Sequence, residues 1–590
     1  MQKNKKIEVS NKEILKFLFN TSKSEIKLLL IVLFFTISAT ILSSFYPIIT
    51  KNIVDLISWW DFLDKKDLVW WNFYNLIFIL IWLFFWWRIT EFCLNIFEVR
   101  IMKKIFWDTF KYINRHSYRF FSDNQSWSLV KKLNRLPYSF VWFFDIIVYD
   151  IIWTIVWFSF LFYILFNEDI LLFWIFFWFL FLLIWSTYFL QNWQVKFHKI
   201  WLKQDSKVWW LFWDVIVNHF NVSIFWKFDK ESEKLNSYLN DWYKKWIDTR
   251  TKSFVVHSVQ WVWIIWFEIL ITYYSLSMVL SWNMEIWTFV MIELFLLKLT
   301  PKFYSIWHVF KNIYRIFADI FEALEILKTP HEITDIPNAK DLQVKKWEIE
   351  FKNVDFKYED WTKVFDKFNL KIRTWEKVAL VWESWAWKTS ITQLIFRFFD
   401  IQNWKILIDW QDISKVKQDS LRSNISLVPQ ESILFHRSLR ENMVYWNENI
   451  SEEKFLEISK KTHCHDFISE LEKWYDTLVW ERWIKLSWWQ RQRVSIARAI
   501  IENSKIFILD EATSALDSES EEKIQKALEV AMEWKTSIVI AHRLSTIMKM
   551  DRIIVLEKWK IIEEWTHDEL IKKSWKYKKL WWIQSGGFEK

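Results

Sequence analysis

Residues 381 to 389 read Val381-Trp382-Glu383-Ser384-Trp385-Ala386-Trp387-Lys388-Thr389. As written, the run matches no loop motif, because three indole side chains occupy the positions that lead to the Lys-Thr pair. With glycine in place of each tryptophan it becomes G-x-x-x-x-G-K-T, a loop whose backbone amides surround phosphate groups. Such a loop joins a strand to a helix in an α/β domain. The fold of the second half of the chain therefore depends on what these tryptophans represent.

The composition indicates that glycine has been exchanged for tryptophan along the chain. The 590 residues include 49 tryptophans and 2 glycines, whereas an average glycine usage of about 7% predicts roughly 41 glycines. We predict that the gene uses UGA as a glycine codon and was translated with a table that reads UGA as tryptophan. Gly586 and Gly587 would then come from ordinary glycine codons. The alternative is a tryptophan-rich protein whose loops carry indoles.

The same exchange repairs a second motif and many turns. Residues 486 to 490 become LSGGQ; as written they are Leu486-Ser487-Trp488-Trp489-Gln490. Further tryptophans fall at turn-like positions, where a backbone with positive φ favours glycine. They are Trp404, Trp410, Trp446, Trp474, Trp480, Trp483, Trp534, Trp559 and Trp565. Inside an apolar helix, as at Trp82 or Trp174, either identity is compatible with the pattern.

The first half of the chain is strongly apolar and predicts a membrane domain. It contains six long apolar stretches, at residues 26–48, 72–98, 138–163, 168–190, 254–280 and 285–306. Each stretch can form the helix of about 20 residues that crosses a hydrocarbon core of about 30 Å. We therefore predict an α-helical, six-span transmembrane domain in residues 1–325.

Basic residues in the connections predict the orientation of these spans. Residues 99–137 hold nine lysines and arginines against two acidic residues, whereas the links at 167–169 and 282–285 hold no basic residue. Because basic loops stay in the cytoplasm, we expect a multi-pass protein of the cytoplasmic membrane with both termini inside. The same bias accounts for the net charge of +8, so the charge does not indicate nucleic-acid binding. Neither Cys93 nor Cys464 implies a disulfide.

A second domain follows a polar linker. The linker covers residues 326–347, the second domain residues 348–585, and a short tail residues 586–590. Within the second domain, short β-rich runs alternate with helical patterns, which predicts an α/β domain around a largely parallel sheet. The runs are residues 378–381, 406–408, 425–428, 505–509, 537–540 and 553–556.

Two segments of this domain carry residues suited to phosphate chemistry. The glycine-type loop and the start of the next helix would surround a polyphosphate, with Lys388 at its β and γ phosphates and the Thr389 hydroxyl on magnesium. Farther along, an apolar strand ends in Asp510 and Glu511. Asp510 suits the magnesium shell, and Glu511 suits the polarisation of an attacking water, which are the remaining tasks of phosphoryl transfer.

With glycine at the motif tryptophans, these segments resemble the ATP-binding cassette (ABC) transporters over essentially the whole chain. Residues 486–493 look like the family signature LSGGQRQR, and other segments follow in family order. The resemblance implies an α/β P-loop ATPase domain of the ABC type, with ATP and Mg²⁺ as cofactors. Residues 477–483 are similar to a loop typical of exporters, although Leu478 replaces the usual acidic residue.

The resemblance also assigns roles to individual residues. Glu511, Gln430 and His542 are implied as catalytic, with His542 at the γ-phosphate and Gln430 at the magnesium and the attacking water. Magnesium is implied at Thr389, Gln430 and Asp510. The implied nucleotide-binding residues, with Tyr358 stacked on adenine, are Tyr358, Trp382, Glu383, Ser384, Trp385, Ala386, Trp387, Lys388, Thr389, Ser390, Ser487, Trp488, Trp489 and Gln490.

A membrane domain followed by an ATPase domain resembles an exporter half-transporter. The resemblance implies ATP-driven export of a drug, lipid or peptide-like substrate by a dimer, in which Ser487 of one copy faces the nucleotide held by Lys388 of the other. A homodimer is expected, and one half of a heterodimer is the alternative. Residues 120–124 and 218–222 are candidates for carrying motion between the domains. If the motif tryptophans are genuine, they fill the phosphate volume, and the chain is an inactive membrane scaffold.

Ionisable residues inside the apolar stretches are costly and point to function. Arg88 and Glu91 lie three residues apart on the second stretch and are expected to pair. Glu268 and Glu293 lie deep in the fifth and sixth stretches. They are expected either to meet a cationic or hydrogen-bonding substrate or to provide polar packing between helices.

Overall fold

The computed structural model divides the chain into two compact units. Met1–Arg115 and Asn124–Pro330 form the first unit, and His116–Asp123 and His331–Lys590 form the second. The structure describes residues 9–58, 66–124, 126–358, 363–382, 388–401, 403–445, 447–479, 486–510, 518–540, 544–557, 560–573 and 576–584.

The first unit is built from helices, as its long apolar runs require, because a helix satisfies its own backbone hydrogen bonds within lipid. A π-helical stretch at Ile146–Ile152 joins α6 to α7. The first eleven helices of the chain are α1 (Asn11–Ser22), α2 (Ile26–Ser44), α3 (Tyr46–Ser58), α4 (Lys66–Ile113), α5 (Tyr118–Asp123), α6 (Ser126–Asp145), α7 (Trp153–Glu168), α8 (Ile170–Val217), α9 (His219–Ile224), α10 (Phe228–Leu280) and α11 (Ile286–Leu327).

Within the described residues, five helical segments are long and apolar enough to cross a membrane. They match the first five predicted stretches. A shorter apolar helix, Ile286–Leu297, lies at the start of α11, where the sixth stretch was predicted. The structure therefore confirms five candidate spans, and the sixth stays a prediction. The five segments are Asn11–Ile57, Lys66–Ile113, Ser126–Glu168, Ile170–Val217 and Phe228–Leu280.

Three of these helices are much longer than a bilayer requires. α4 and α8 each have 48 residues, and α10 has 53. At a rise of 1.5 Å per residue they are about 70 to 80 Å long, more than twice the thickness of a hydrocarbon core of about 30 Å. Each helix is therefore long enough to continue well beyond a hydrocarbon core.

The second unit contains two sheets. The four-stranded sheet has the order β2-β1-β4-β5 and is antiparallel, whereas the six-stranded sheet has the order β10-β9-β3-β8-β7-β6 and is parallel except for the β9–β10 pair. The strands are β1 (Ile349–Lys357), β2 (Lys363–Ile372), β3 (Lys377–Trp382), β4 (Asn403–Ile408), β5 (Gln411–Asp412), β6 (Ile425–Val428), β7 (Ile506–Asp510), β8 (Thr536–Ile540), β9 (Arg552–Glu557) and β10 (Lys560–Trp565).

The predicted β-rich runs all overlap strands, and five of the six belong to the largely parallel sheet, as expected. The exception is the run at 406–408, which lies in β4 and pairs antiparallel with β1. The antiparallel pairing of this run could not be predicted, because an apolar run does not show which strand it pairs with.

The helices of the second unit that follow β3 are α12 (Lys388–Ile395), α13 (Gln418–Arg422), α14 (Leu439–Met443), α15 (Glu452–Lys461), α16 (Cys464–Ile468), α17 (Trp488–Ile501), α18 (Ser518–Ala531), α19 (Leu544–Ile547), α20 (His567–Lys573) and α21 (Lys576–Gln584).

Both faces of the six-stranded sheet are buried. In β3, Val378 and Leu380 belong to one apolar cluster, and Ala379 and Val381 belong to another. Successive side chains of a strand point to opposite faces, so the two clusters lie on opposite sides of the sheet. A sheet covered on both faces explains why its strands read as continuous apolar runs.

Tryptophans occupy backbone positions that suit glycine. Among the described residues, 14 non-glycine residues have positive φ, and 7 of these are tryptophan. A bulky residue with positive φ is a conformational outlier, whereas glycine adopts it freely. Three of the seven, Trp410, Trp474 and Trp534, are among the predicted turn positions. Trp404 and Trp565 lie instead inside β4 and at the end of β10. The backbone thus supports the glycine interpretation at the turns.

Two ionisable side chains, Glu502 and Lys535, are buried between the end of α17 and the start of β8. Lys535 is 7% exposed and lies 5.7 Å from the ring centre of Phe507. Burial lowers the pKa of Lys535 to about 8 and raises the pKa of Glu502, at the end of α17, to about 7. The opposite charge on each residue counteracts these shifts only in part.

The left-handed tryptophans predict a stability gain on replacement by glycine. An L-residue in the left-handed region costs roughly 1–2 kcal/mol, so we expect Trp410→Gly and Trp534→Gly each to raise the free energy of unfolding by about 1 kcal/mol, measured by thermal unfolding. Trp157→Gly is the matched control, because Trp157 is 1% exposed. Its loss should cost about 3–5 kcal/mol. Destabilisation by all three variants would contradict the strain argument.

The buried pair of Glu502 and Lys535 predicts a minimum of stability near neutral pH. Because folding raises the pKa of Glu502, the folded state binds the proton more tightly, and stability falls as the pH rises from about 4.5 to 7. Because folding lowers the pKa of Lys535, stability rises from about pH 8 to 10.5. We expect Glu502→Gln to abolish the first slope and Lys535→Met the second, measured as unfolding temperature against pH. Unchanged slopes would refute this explanation.

Candidate functional site

The predicted phosphate loop lies between a central strand and a helix. β3 ends at Trp382, and α12 begins at Lys388. β3 lies inside the six-stranded sheet, between β9 and β8. This is the strand–loop–helix arrangement that the motif requires. The loop residues themselves lie outside the described residues; they are Glu383, Ser384, Trp385, Ala386 and Trp387.

The parallel register brings the other predicted site residues to the same edge. Asp510, the last residue of β7, pairs with Ile540, the last residue of β8, and Ile540 pairs with Leu380 of β3. On the other side of β7, Val428 ends β6 opposite Leu509. The carboxyl ends of parallel strands meet at one edge of a sheet, where α/β proteins bind ligands.

Two of the predicted catalytic residues follow directly from these strand ends. Glu511 comes after Asp510, and His542 comes two residues after the end of β8. Both lie outside the described residues, as do residues 480–483 of the loop that is similar to one typical of exporters. Gln430 is described, is exposed and lies in a bend two residues after β6. The strands that precede the three catalytic candidates in sequence, β6, β7 and β8, therefore end at one edge of the sheet.

The oxygen donors at this edge fit the magnesium ion that was predicted. Asp510 provides a carboxylate that is 9% exposed, and Gln430 provides an amide oxygen after the neighbouring strand. Thr389 is the second residue of α12. Carboxylate, amide and hydroxyl oxygens are the hard ligands that magnesium prefers. Among the described residues, no group of three or more His, Cys, Asp and Glu side chains is placed to hold a metal by itself.

Tyr358 lies beside the helix that follows the phosphate loop. Its hydroxyl is 2.8 Å from Ser390 Oγ and donates to Gln393 Oε1 at 3.0 Å. Its ring packs edge-on against Phe399, with ring centres 5.5 Å apart. Ser390 is 1% exposed. The predicted adenine platform is thus tied to the first turns of α12, and the Ser390 hydroxyl is directed at Tyr358.

The signature segment begins a helix with a reciprocal cap. Ser487 Oγ accepts a hydrogen bond from the Gln490 backbone N–H at 3.3 Å, and Gln490 Oε1 accepts one from the Ser487 backbone N–H at 2.8 Å. Ser487 itself is exposed. Trp488 and Trp489 form the first turn of α17, with ring centres 4.9 Å apart. The N-terminus of a helix presents backbone N–H groups that attract anions.

A hydrogen bond connects the signature helix to the segment that contains Gln430. Ser432 Oγ donates to Gln492 Oε1 at 2.5 Å, and Gln492 is completely buried within α17. The segment that follows Gln430 is thus held against the middle of α17. The sequence offered no signal for this contact, because both residues are ordinary polar types 60 positions apart.

The short helix α5 packs within the second unit, although it comes from the first half of the sequence. The Tyr118 ring stacks on Phe398, with centres 5.4 Å apart and planes at 17°. Ser117 Oγ donates to Glu332 Oε2 at 2.6 Å. Residues 120–124, which are candidates for carrying motion between the domains, overlap α5, and that role stays a prediction. The second candidate segment lies in α9, where Phe220 is 74% exposed.

The charged residues of the apolar stretches have partners. Arg88 Nη1 lies 2.7 Å from Glu91 Oε2, as predicted from their spacing. Glu293 Oε1 accepts a hydrogen bond from the Thr272 hydroxyl at 2.7 Å. This bond favours the alternative in which Glu293 provides polar packing between α10 and α11. Glu268 is half-buried on α10.

Two protein families match different parts of the chain. Residues 29–300 match the ABC transporter transmembrane region, and residues 365–514 match the ABC transporter family. The fold is similar to the structure of a bacterial Atm1-family ABC exporter with ATP bound. The TM-score is 0.84, and the match covers 96% of this chain and 99% of the other. At 24% identity this likeness concerns the fold alone.

Individual relatives match just under half of the chain. An uncharacterized ABC transporter ATP-binding protein of Haemophilus influenzae is 45% identical over 285 residues, which is 48% of this chain and 46% of the relative. An ATP-dependent lipid A-core flippase of Desulfotalea psychrophila is 46% identical over 259 residues, 44% of this chain and 45% of the relative. The chain spans less than half the length of these relatives.

The family matches agree with the two structural observations made above, the shared edge of the parallel strands and the capped N-terminus of α17. The chain has an ABC transporter transmembrane region followed by an ABC transporter ATP-binding domain.

Proposed function

We propose that this protein couples ATP hydrolysis to the export of a substrate across the cytoplasmic membrane. The observation that carries the proposal is the convergence of strand ends β3, β6, β7 and β8 at one edge, each followed by a predicted site residue. A transmembrane unit in the same chain supplies the structure on which ATP hydrolysis would act. The proposed domain boundaries are those predicted from the sequence, with the transmembrane domain in 1–325 and the ATPase in 348–585.

The proposed chemistry assigns one task to each residue at the edge. Lys388 neutralises the β and γ phosphates, Glu511 polarises the attacking water, and His542 contacts the γ-phosphate. Gln430 and Asp510 orient the water and the metal. Bound Mg²⁺ would neutralise charge on the phosphate oxygens as the bond to the leaving group breaks. Thr389 would complete the set of oxygen ligands.

The proposal includes glycine at the motif tryptophans. Three indoles at positions 382, 385 and 387 would fill the volume of the phosphates, and the chain would bind no ATP. The positive φ of seven described tryptophans supports glycine as the residue that this backbone requires. Glycine at 488 and 489 would similarly free the N-terminus of α17 for an anion.

The proposed assembly is a homodimer with both termini in the cytoplasm. By the resemblance, Ser487 of one copy faces the nucleotide bound at Lys388 of the second copy. Ser487 is exposed at the N-terminus of α17, which supports such a role. Glu511 and the signature occur in the same chain, so both sites of a homodimer would hydrolyse ATP. A lipid is favoured over a drug or peptide as substrate, because two relatives are named lipid A-core flippases.

A mass measurement followed by ATPase assays tests this proposal. We expect native peptides that cover residues 378–388 to have glycine masses at 382, 385 and 387. In that protein, Glu511→Gln should lower kcat about 10²–10⁴-fold, as loss of a water-activating group does, and Lys388→Ala should abolish measurable hydrolysis. Glu533→Gln is the matched control, because Glu533 is exposed after α18. Tryptophan masses, or full activity of Glu511→Gln, would refute the function.

The stacking of Tyr118 on Phe398 predicts a variant that separates hydrolysis from motion. We expect Tyr118→Ala to keep ATP hydrolysis but to abolish the ATP-dependent change in distance between spin labels at Ser281→Cys in the two copies. Ser281 follows α10 on the side predicted to lie outside the cell. Tyr243→Ala is the control, because Tyr243 is 59% exposed. A wild-type distance change in Tyr118→Ala would contradict a coupling role for α5.

A further inference from the structure

The hydroxyl of Tyr358 belongs to a short chain of hydrogen bonds that ends on α12. Its O–H donates to Gln393 Oε1 at 3.0 Å. A phenol has one O–H, so the 2.8 Å contact with Ser390 Oγ has the serine hydroxyl as its donor. The bonds therefore run in one direction, from Ser390 to Tyr358 to Gln393. We call these three side chains the α12 link.

Helix α12 fixes two of the three groups in the α12 link. Ser390 and Gln393 are three residues apart on the helix and so lie on one face of it. Ser390 is buried and Gln393 is half-buried. Buried polar groups keep their protein partners, because little water is available to replace a lost hydrogen bond. The Tyr358 hydroxyl is therefore held at one position on the helix.

The ring of Tyr358 is also held, by two phenylalanines. The ring centres of Phe356 and Phe399 lie 5.0 and 5.5 Å from that of Tyr358, with interplanar angles of 74° and 87°. Such edge-on pairs are a favoured arrangement of aromatic rings. With its hydroxyl bonded to α12 and its ring packed in this way, Tyr358 is fixed in both position and tilt.

The turn at the end of α12 places Phe399. Arg397 has a left-handed backbone, with φ 51°. Its N–H donates to the Leu394 carbonyl at 3.0 Å, and the N–H of Phe398 donates to the Gln393 carbonyl at 2.8 Å. Together these two bonds form a Schellman motif, which ends many helices. Gln393 thus contributes its side chain to the phenol and its backbone to the turn before Phe399.

The same helix begins with the residues proposed to bind the phosphates and the magnesium. Lys388 and Thr389 are its first two residues, and Ser390 is the third. The α12 link therefore joins the proposed adenine platform to the helix on which these ligands lie. Stacking alone does not need this connection, because it uses the face of the ring and not the hydroxyl. The bonds of the hydroxyl are additional to the predicted stacking role.

We propose that Gln393 is a positioning residue for ATP: with Ser390 it holds Tyr358 against α12, so that the adenine platform and the phosphate-binding helix form one preset site. Binding of the base and binding of the phosphates then support each other, because a platform that is ordered in advance loses little conformational entropy when the nucleotide binds. This inference rests on the proposed ATP site. It adds Gln393, a residue that no sequence motif marked.

The test compares a nucleotide with a ligand that lacks the base. Full-length protein is titrated, with Mg²⁺, with the non-hydrolysable ATP analogue AMP-PNP and with inorganic tripolyphosphate. We expect Gln393→Leu to weaken AMP-PNP binding about three- to tenfold, the effect of one lost hydrogen bond, and to leave tripolyphosphate binding unchanged. Gln343→Leu is the matched control, because Gln343 is an exposed glutamine of the same unit.

Steady-state hydrolysis provides a second readout. In Gln393→Leu the KM for ATP should rise by the same factor while kcat stays close to the wild-type value, because an interaction with the base contributes equally to the ground state and the transition state. A fall in kcat with an unchanged KM would contradict a positioning role that acts through the base.

Tyr358→Phe removes the other side of the same hydrogen bond. It keeps the ring but loses the hydroxyl, so AMP-PNP binding should weaken as much as in Gln393→Leu. The double variant should bind no more weakly than either single variant, since the second substitution removes a bond that is already absent. Additive losses, or losses that extend to tripolyphosphate, would indicate separate structural effects and overturn the inference.

Tyr358→Ala separates this inference from the proposed function. Weak AMP-PNP binding by Tyr358→Ala, together with wild-type binding by Gln393→Leu and Tyr358→Phe, would refute the α12 link and leave the adenine platform intact. Wild-type binding by Tyr358→Ala would refute the platform and the link together. A wild type that binds neither AMP-PNP nor tripolyphosphate would overturn the proposed function as well.

Discussion

The parallel pairing of β3, β8, β7 and β6 is the constraint on which the candidate site depends. Parallel strands point their carboxyl ends the same way, so segments separated by more than 100 residues in sequence end at one edge. Both faces of the sheet are packed with apolar side chains, which fixes the register. The register of the sheet, and not any single loop, brings the parts of the candidate site together. Each loop that follows a strand then adds one polar group.

Much of this arrangement could be predicted from the sequence because buried parallel strands are short, apolar and bounded by polar residues. Five runs were located within a residue or two of their strands. The antiparallel sheet was harder to predict: Tyr358 was predicted to stack on adenine, but the strand that precedes it, β1, and its partner β2 were missed. The stacking of Tyr118 on Phe398 could not be predicted, because the sequence around either residue does not indicate a contact 280 positions away.

Backbone geometry adds information that side-chain identity alone does not. Motif spacing pointed to glycine at residues 382, 385, 387, 488 and 489, and the described backbone points to glycine at positions in turns that belong to no motif. The two arguments are independent, because one uses ligand chemistry and the other uses φ angles. Among the described residues, the structure departs from the predicted turn position at Trp404 and Trp565, which lie in strands.

The place of α5 within the second unit has a consequence for biosynthesis. Tyr118 leaves the ribosome about 280 residues before Phe398, its stacking partner. At roughly 5–20 residues per second, this interval lasts on the order of 15 to 55 seconds. During that time the α5 segment has no surface to pack on. The α5 segment, which is made first and is predicted to stay in the cytoplasm, therefore waits for Phe398, and the second unit completes its packing with a segment encoded in the first half of the chain.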